Sequence, residues 1–167
     1  MPNFCYQVLD VFTDPDEPMT KIVRVVELPN QNLLEFRPLS NTRVIWLDLR
    51  VHEGENEGYR KKLEKEFSEI GFVYSDNVDE AIKQINQTVK TVLITAGSIG
   101  KIIVPKISHL QNVNRIIVFC MNLKAHQEWA REFPKVTSVT NNFGVALAEA
   151  KKALTSVMMN KPVPEKK

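Results

Sequence analysis

The sequence predicts one α/β domain built on a doubly wound, five-stranded parallel sheet in the order 2-1-3-4-5, preceded by an extended N-terminal arm. From residue 44 onward, five short apolar runs alternate with five amphipathic segments, and the connections between them are short. This alternation is typical of parallel strands joined by helices that cover both faces of a sheet. Five such units commonly adopt the order 2-1-3-4-5.

Composition divides the 167 residues into three parts, namely an arm at 1–43, the α/β domain at 44–159 and an extended tail at 160–167. A hydrophobic fraction of 43% is ample for a packed core. The net charge of +2 is too small to indicate a polyanionic partner. Because the lysine clusters are interleaved with glutamates, no nucleic-acid partner is expected.

The first strand–helix unit begins with residues 44–49, a near-continuous apolar run typical of a strand buried on both faces. A loop around Gly54 and Gly58 is expected to follow it. Four apolar residues then recur at helical spacing: Tyr59, Leu63, Phe67 and Ile70. Gly71 supplies the end of this first helix.

The second unit combines a short strand at 72–74 with a helix that Asp76 or Asn77 caps. The buried face of this helix is expected to hold Val78, Ala81, Ile82 and Ile85. A β-branched third strand follows at 91–95 and runs into the glycine-containing segment 96–100.

The third helix carries four apolar residues: Ile102, Ile103, Ile107 and Leu110. Pro105 cannot lie deep inside a helix without removing a backbone hydrogen bond. We therefore expect an irregular first turn, with the regular helix beginning near Val104.

The fourth strand is predicted at 115–120, and the fourth helix at 123–133 with Trp129 and Phe133 facing inward. A weaker fifth strand is predicted at 136–140. Asn141 or Asn142 then caps the last helix, whose apolar positions are expected to be Val145, Leu147, Ala148, Leu154 and Val157.

The arm is unusually apolar for a free segment. Residues 21–28 alternate and could pair with 33–36 as a hairpin. Upstream of them lie six large apolar residues: Phe4, Tyr6, Val8, Leu9, Val11 and Phe12. These side chains pack either on the domain itself or on another protein. The pair Met158 and Met159 offers the same two alternatives, core closure or a partner contact.

Cysteine usage and the absence of long apolar runs indicate the cellular compartment in which the protein is expected. Cys5 and Cys120 are far apart, and Cys120 lies inside an apolar run, so neither a disulfide scaffold nor a zinc site is expected. No run approaches membrane-spanning length, and the acidic, proline-containing N-terminus does not resemble a signal peptide. These features predict a cytoplasmic protein without a membrane partner.

Ligands of doubly wound sheets bind outside the carboxyl ends of the strands, where the strand order reverses. That position is predicted to bring together six candidate residues: Asp48, Arg50, Gly97, Ser98, Gly100 and Asn122. A glycine-flanked turn that opens a helix can present backbone N–H groups to a phosphate. The same residues also fit a tight strand-to-helix turn with Ser98 as the cap, which the sequence favours because no GxGxxG or Walker pattern is present.

Nucleophilic catalysis would require Ser98 or Cys120 beside a base. His52 is the only histidine expected nearby, because His109 and His126 lie on helices and are predicted to face solvent or to act as caps. No Gly-x-Ser-x-Gly segment is present, since position 96 is alanine. We therefore predict no catalytic residue, no metal ligand and no cofactor.

Three segments carry a resemblance to a family: residues 95–100, Val104-Pro105 and 126–130. With them the chain resembles the degenerate receiver-like, flavodoxin-like domain of uncharacterised multidomain eukaryotic proteins, where it lies beside helical repeats. The likeness spans roughly residues 44–140. It implies a flavodoxin-like fold, and that family has no secure activity to transfer.

More broadly, the chain resembles bacterial response-regulator receivers but departs from them at the positions that carry their chemistry. Receivers accept phosphate on an aspartate after strand three, where this chain has Ala96-Gly97-Ser98. They bind magnesium with paired acids after strand one, where only Asp48 is present, and a lone acid is a poor magnesium site. The lysine that follows strand five is replaced by 140–142, which is Thr-Asn-Asn. Phosphorelay activity is therefore not expected.

The sequence thus predicts a non-enzymatic structural or adaptor subunit of a larger assembly, of a cytoskeletal or ciliary kind. Its arm and tail would bind neighbouring proteins, with Phe4, Tyr6, Phe12, Met158 and Met159 as the candidate contacts. The alternative is a small-molecule or nucleotide-phosphate-binding domain that uses the turn from Gly97 to Gly100.

Overall fold

The computed structural model describes residues 42–158, together with every side chain in that range except that of Met158. These residues form β1 (Thr42–Leu47), α1 (Gly54–Glu66), β2 (Phe72–Ser75), α2 (Val78–Asn86), β3 (Lys90–Ala96), α3 (Gly97–Ile107), β4 (Val113–Phe119), α4 (Leu123–Ala130), β5 (Val136–Thr140) and α5 (Phe143–Met158). The five strands make one parallel sheet in the order β2-β1-β3-β4-β5. The predicted fold class and strand order are confirmed.

β1 is the strand at which the sheet changes direction. The chain first adds β2 on one side of β1 and then crosses over to add β3 on the other side. Leu47 therefore lies opposite Ser75 of β2 and Thr95 of β3. Because all five strands are parallel, the segments that follow them emerge at one edge, which we call the carboxyl edge.

Both faces of the sheet are covered by helices. Ile45 and Leu47 of β1 point into a core formed with α2, α3 and α4. Val44 and Trp46 point into a second core formed with α1 and α5. Successive side chains of a strand alternate between faces, so two covered faces require the continuous apolar run that the sequence has here.

Gly54 and Gly58 do not form a loop, because both lie inside α1. The acidic side chains of Glu55 and Glu57 lie in the first turn, where their negative charge interacts favourably with the positive end of the helix dipole. A glycine inside a helix costs about 1 kcal/mol relative to alanine. A β-carbon built at either position has no other group within 4 Å, so crowding does not explain the two glycines. α1 ends at Glu66 with Phe67 as its C-cap, earlier than predicted, and turns follow at 67–70. Gly71 comes after these turns, with a φ of +102° and an N–H that donates to Phe67 O at 3.2 Å.

α3 begins at Gly97 rather than near Val104, so the prediction of an irregular first turn is wrong. The helix is eleven residues long, and Pro105 lies in its last turn on the exposed side. Pro105 has no N–H to donate to the carbonyl four residues earlier, yet the helix continues past it to Ile107. Ile102, which was expected to face inward, is 55% exposed.

α5 buries only part of the predicted face, since Leu154 is buried and Leu147 packs against the core as predicted. Val145 and Ala148 are exposed. The buried residues are Ala146, Ala150, Ala153 and Leu154. Alanines at the contact let the helix lie close to the sheet. A helix face made of such small side chains gives only a weak apolar signal in the sequence. Asn142 is the cap, accepting a hydrogen bond from Val145 N at 3.2 Å.

Several predictions lie outside the described residues: the arm and its hairpin, the tail, and the candidate contacts Phe4, Tyr6, Phe12 and Met159. Met158 is the last residue of α5. Among the helices of residues 42–158, none combines the length and the apolar character needed to cross a bilayer.

The stability of α2 depends on its cap. The side chain of Asn77 accepts hydrogen bonds from Asp79 N at 2.8 Å and Glu80 N at 3.0 Å. We expect Asn77→Ala to lower the free energy of unfolding, measured by urea denaturation, by about 1 kcal/mol. Asn86→Ala, at the exposed end of the same helix, is the matched control and should cost less than about 0.5 kcal/mol. Equal losses in the two variants would contradict the capping role.

Candidate functional site

The candidate residues lie where the strands end at the carboxyl edge. Asp48 directly follows β1, and Gly97 follows β3 without an intervening loop. Cys120 and Asn122 lie between β4 and α4. The sheet topology therefore places these segments side by side, as the sequence predicted, with the strand order reversing between β1 and β3.

Asp48 serves the turn after β1. Its side chain is 9% exposed, and its Oδ1 accepts a hydrogen bond from Arg50 N at 2.8 Å. Its backbone N–H donates to Ser75 O, and its carbonyl accepts from Val51 N. Within residues 42–158, no group of three or more His, Cys, Asp or Glu side chains is placed to hold a metal ion. These hydrogen bonds show that Asp48 stabilises the turn after β1.

Arg50 and His52 make their polar contacts away from the α3 turn. Arg50 pairs with Glu55 at 3.8 Å, and both side chains are mostly exposed. His52 lies 3.9 Å from Asp76 and packs edge-on against Tyr74, with 5.7 Å between the ring centroids. His52 therefore faces the β2 side of the edge, and it is not the histidine that lies at the glycine turn.

That histidine is His126 of α4. A β-carbon built at Gly97 would lie 2.4 Å from both Cδ2 and Nε2 of His126, so the imidazole ring occupies the space that a side chain would fill. One turn further along α3, a β-carbon at Gly100 would lie 3.0 Å from Cγ2 of Thr95 and 3.5 Å from Cη2 of Trp129, the latter an ordinary contact distance. The two rings thus approach two glycines with the same three-residue spacing, and at Gly97 the ring occupies the space of a side chain.

The two rings are also joined by a hydrogen bond. The indole N–H of Trp129 donates to Nδ1 of His126 at 3.1 Å, and the ring planes meet at 84°. Indole is a donor only, so Nδ1 of His126 must be unprotonated and the neutral ring carries its hydrogen on Nε2. The prediction that His126 faces solvent or acts as a cap is wrong, since the ring is half-buried against α3.

Ser98 is exposed and does not cap α3. The cap position is Ala96, which has no side chain able to accept a hydrogen bond, and Ser98 is the second residue of the helix. Gly97 and Gly100 are both buried. Of the four residues in the predicted phosphate turn, Gly97 to Gly100, Ser98 alone is exposed.

Asn122 and Cys120 have structural partners. The side chain of Asn122 accepts a hydrogen bond from Ala125 N at 3.2 Å and so caps α4. The thiol of Cys120 contacts Asn122 O at 3.8 Å. Burial raises the pKa of Cys120, which favours the thiol over the nucleophilic thiolate.

On the opposite face, three aromatic rings pack at the same edge. Tyr59 of α1 stacks on Phe143 of α5 with 4.3 Å between centroids. Phe119, at the end of β4, meets them edge-on at 5.6 and 5.9 Å. Aromatic side chains of the chain itself therefore pack at the carboxyl edge on both faces of the sheet.

Two large apolar side chains point outward from this edge. Leu49, after β1, is 62% exposed, and Met121, after β4, is 80% exposed. A shallow groove of about 180 Å³ lies elsewhere, between α4 and β5, where Arg131 and Ser138 are among its lining residues. It is separate from the point at which the strand order reverses.

Comparison with protein-family models, curated proteins and solved structures finds no match for this chain. The resemblance to receivers stays a prediction from sequence. The role of the carboxyl edge therefore depends on its own residues. The contact that the sequence interpretation missed had one visible signal, because Gly97 and Gly100 have the same spacing as His126 and Trp129.

Substitution of Gly97 tests whether the His126 ring occupies the glycine turn. Gly97→Ala places a methyl group in that space, so the ring must leave and give up its packing. We expect the free energy of unfolding to fall by about 1–3 kcal/mol in urea denaturation. The neighbouring exposed position supplies the control, since Ser98→Ala should change it by less than about 0.5 kcal/mol. Wild-type stability of Gly97→Ala would show that the ring does not lie there.

Proposed function

We propose that this chain is a non-enzymatic structural or adaptor module that binds other proteins of a larger assembly. One observation carries the proposal. The position where a doubly wound domain would bind a ligand is packed with side chains of the chain itself, with His126 on Gly97 and Trp129 on Gly100. A small ligand at the start of α3 would have to displace these rings.

The polar groups at the carboxyl edge also support binding rather than catalysis. The carboxylate of Asp48 already accepts the Arg50 N–H. Cys120 is buried, and burial raises its pKa. General acid–base or nucleophilic chemistry requires a reactive group within hydrogen-bond reach of a substrate, and both of these groups are engaged in local structure.

Exposed apolar side chains supply the binding surface in this proposal. Leu49 follows β1 and Met121 follows β4, two strands separated by β3, and both side chains point into solvent. Exposed apolar groups rimmed by polar ones are characteristic of protein–protein contacts. Further contacts with partner proteins are proposed for Phe4, Tyr6 and Phe12 of the arm and for the methionine pair at 158–159.

The proposed location is the cytoplasm, in a cytoskeletal or ciliary assembly. The free thiol of Cys120 is compatible with a reducing compartment. The apolar arm and the proline-containing tail would supply the contacts with neighbouring subunits.

Affinity isolation of the full chain from native extract tests this function. The wild-type chain should retain a defined set of proteins, identified by mass spectrometry. Leu49→Asp combined with Met121→Asp should lose part of that set, because two charges would replace the proposed apolar contact. Val89→Asp is the matched control, since Val89 is 49% exposed but lies before β3 at the opposite edge of the sheet.

The control variant should keep every partner of the wild type. Retention of the full set by the Leu49/Met121 double variant would place the contact elsewhere and reject the role of the carboxyl edge. Recovery of no protein above background with the wild-type chain would reject the adaptor function itself.

The alternative function is phosphate or nucleotide binding at the turn from Gly97 to Gly100. It is favoured by the start of α3, where the cap residue Ala96 offers no side-chain acceptor and Ser98 is exposed. Backbone N–H groups at such a helix start can bind an anion. The half-buried His126 ring over Gly97 opposes it.

Thermal denaturation with millimolar ATP or inorganic phosphate tests the alternative. A bound anion should raise the melting temperature, and Ser98→Ala should reduce that rise. Ser68→Ala, an exposed serine at the other edge of the sheet, should leave it unchanged. An unaltered melting temperature for the wild-type chain would reject the alternative.

A further inference from the structure

The His126 ring that contacts Gly97 of α3 also accepts a hydrogen bond within α4, from Trp129 at 3.1 Å, on a nitrogen that can be protonated. We propose that the Trp129–His126 hydrogen bond is a proton-sensitive latch: protonation of His126 releases its ring from Gly97 and opens the start of α3. The released surface lies at the carboxyl edge, so its use as a regulated binding surface rests on the proposed function. The latch itself requires no partner.

The bond exists only when His126 is neutral. Trp129 Nε1 carries the donated hydrogen, 3.1 Å from Nδ1 of His126. A neutral imidazole has one nitrogen free to accept, but a protonated imidazole carries a hydrogen on both nitrogens. After protonation, two donors would face each other across this distance, and the bond must break.

Within the described residues, no negatively charged side chain is placed to stabilise a protonated His126 ring. The ring lies on Gly97, the first residue of α3, where the helix carries partial positive charge. α4 packs against α3 and β5, and β5 contains no charged residue. The ionisable side chains of α3, α4 and the α4 cap are Lys101, Lys106, Lys124, Glu128 and Arg131, all of which are exposed. Within the described chain, no carboxylate lies within ion-pair distance of His126.

Release of the ring would change the surface locally. Gly97 is buried in the latched state, and no β-carbon shields the backbone there once the imidazole leaves. Trp129 would lose its hydrogen-bond acceptor and keep its edge-on contact with Phe133, at 6.3 Å between centroids. The opened area lies beside the segment that carries the exposed Met121.

Nuclear magnetic resonance of the isolated full chain tests the latch directly. As the pH is lowered from about 8 to about 5, the range in which histidines usually titrate, the indole N–H signal of Trp129 should shift. The midpoint should equal that of the His126 ring signals, and the amide signals of Gly97 and Gly100 should move with it. Trp46 is 1% exposed in the other core and provides an internal reference.

Three variants complete the test. His126→Gln keeps a polar group without a titrating ring and should make the Trp129 signal independent of pH. Trp129→Phe removes the donor but keeps a ring on Gly100, so the response of the Gly97 amide should shrink. His109→Gln, at an exposed histidine after α3, is the control and should behave like the wild type.

A Trp129 signal that does not follow the His126 titration would overturn the proposal. So would a pH response that survives in both His126→Gln and Trp129→Phe, or a Gly97 amide that stays constant while Trp129 shifts. These outcomes are distinct from failure of the proposed function, which is measured by partner recovery at constant pH. If the Trp129 and His126 signals titrate together but affinity isolation recovers no partner, the latch is supported and the adaptor function is rejected.

Discussion

The burial of β1 on both faces is the constraint on which the rest of the structure depends. Its residues Val44, Ile45, Trp46 and Leu47 are each at most 1% exposed. Their side chains divide between two cores, and their backbone pairs with β2 on one side and β3 on the other. Each such side chain contributes about 1.5–3 kcal/mol when fully buried, so any arrangement that leaves one face of β1 open is strongly disfavoured. The interior position of β1 in the sheet and the two helical layers are consistent with this constraint.

The same constraint brings the ends of β1, β3 and β4 to one edge, which in this architecture is the usual location of a ligand. Here that edge is stabilised by packing within the chain. α4 approaches α3 closely enough for an imidazole to lie on Gly97 and an indole to lie near Gly100, while Tyr59, Phe119 and Phe143 pack together on the other face. This packing leaves no open space at Gly97 for a small ligand, which is the observation behind the proposed adaptor function. The hydrogen bond between Trp129 and His126 adds a contact whose strength depends on protonation.

How far the structure could be predicted depended on the kind of side chain that formed each contact. α2 was predicted well because Ala81 and Ile85 are buried and Val78 and Ile82 pack beside them at regular helical spacing. α5 was predicted poorly, because its buried face consists largely of alanines, and a small residue carries little apolar signal on its own. The predicted start of α3 was wrong because Pro105 does not prevent the helix from beginning at Gly97. The candidate residues lie at the carboxyl edge, as the strand order predicted, but the His126 ring at Gly97 was not predicted.

The amino-acid sequence by itself determined the number of strand–helix units, the parallel sheet and the edge at which the strand order reverses. These follow from local periodicity and from the preference of apolar runs for burial. Tertiary structure alone decided that His126, rather than His52, lies at the glycine turn. That contact joins residues 29 positions apart, on helices whose separation is set by the sheet between them. No local pattern specifies such a distance, because it depends on how closely α3 and α4 can pack once both are laid against the same sheet face.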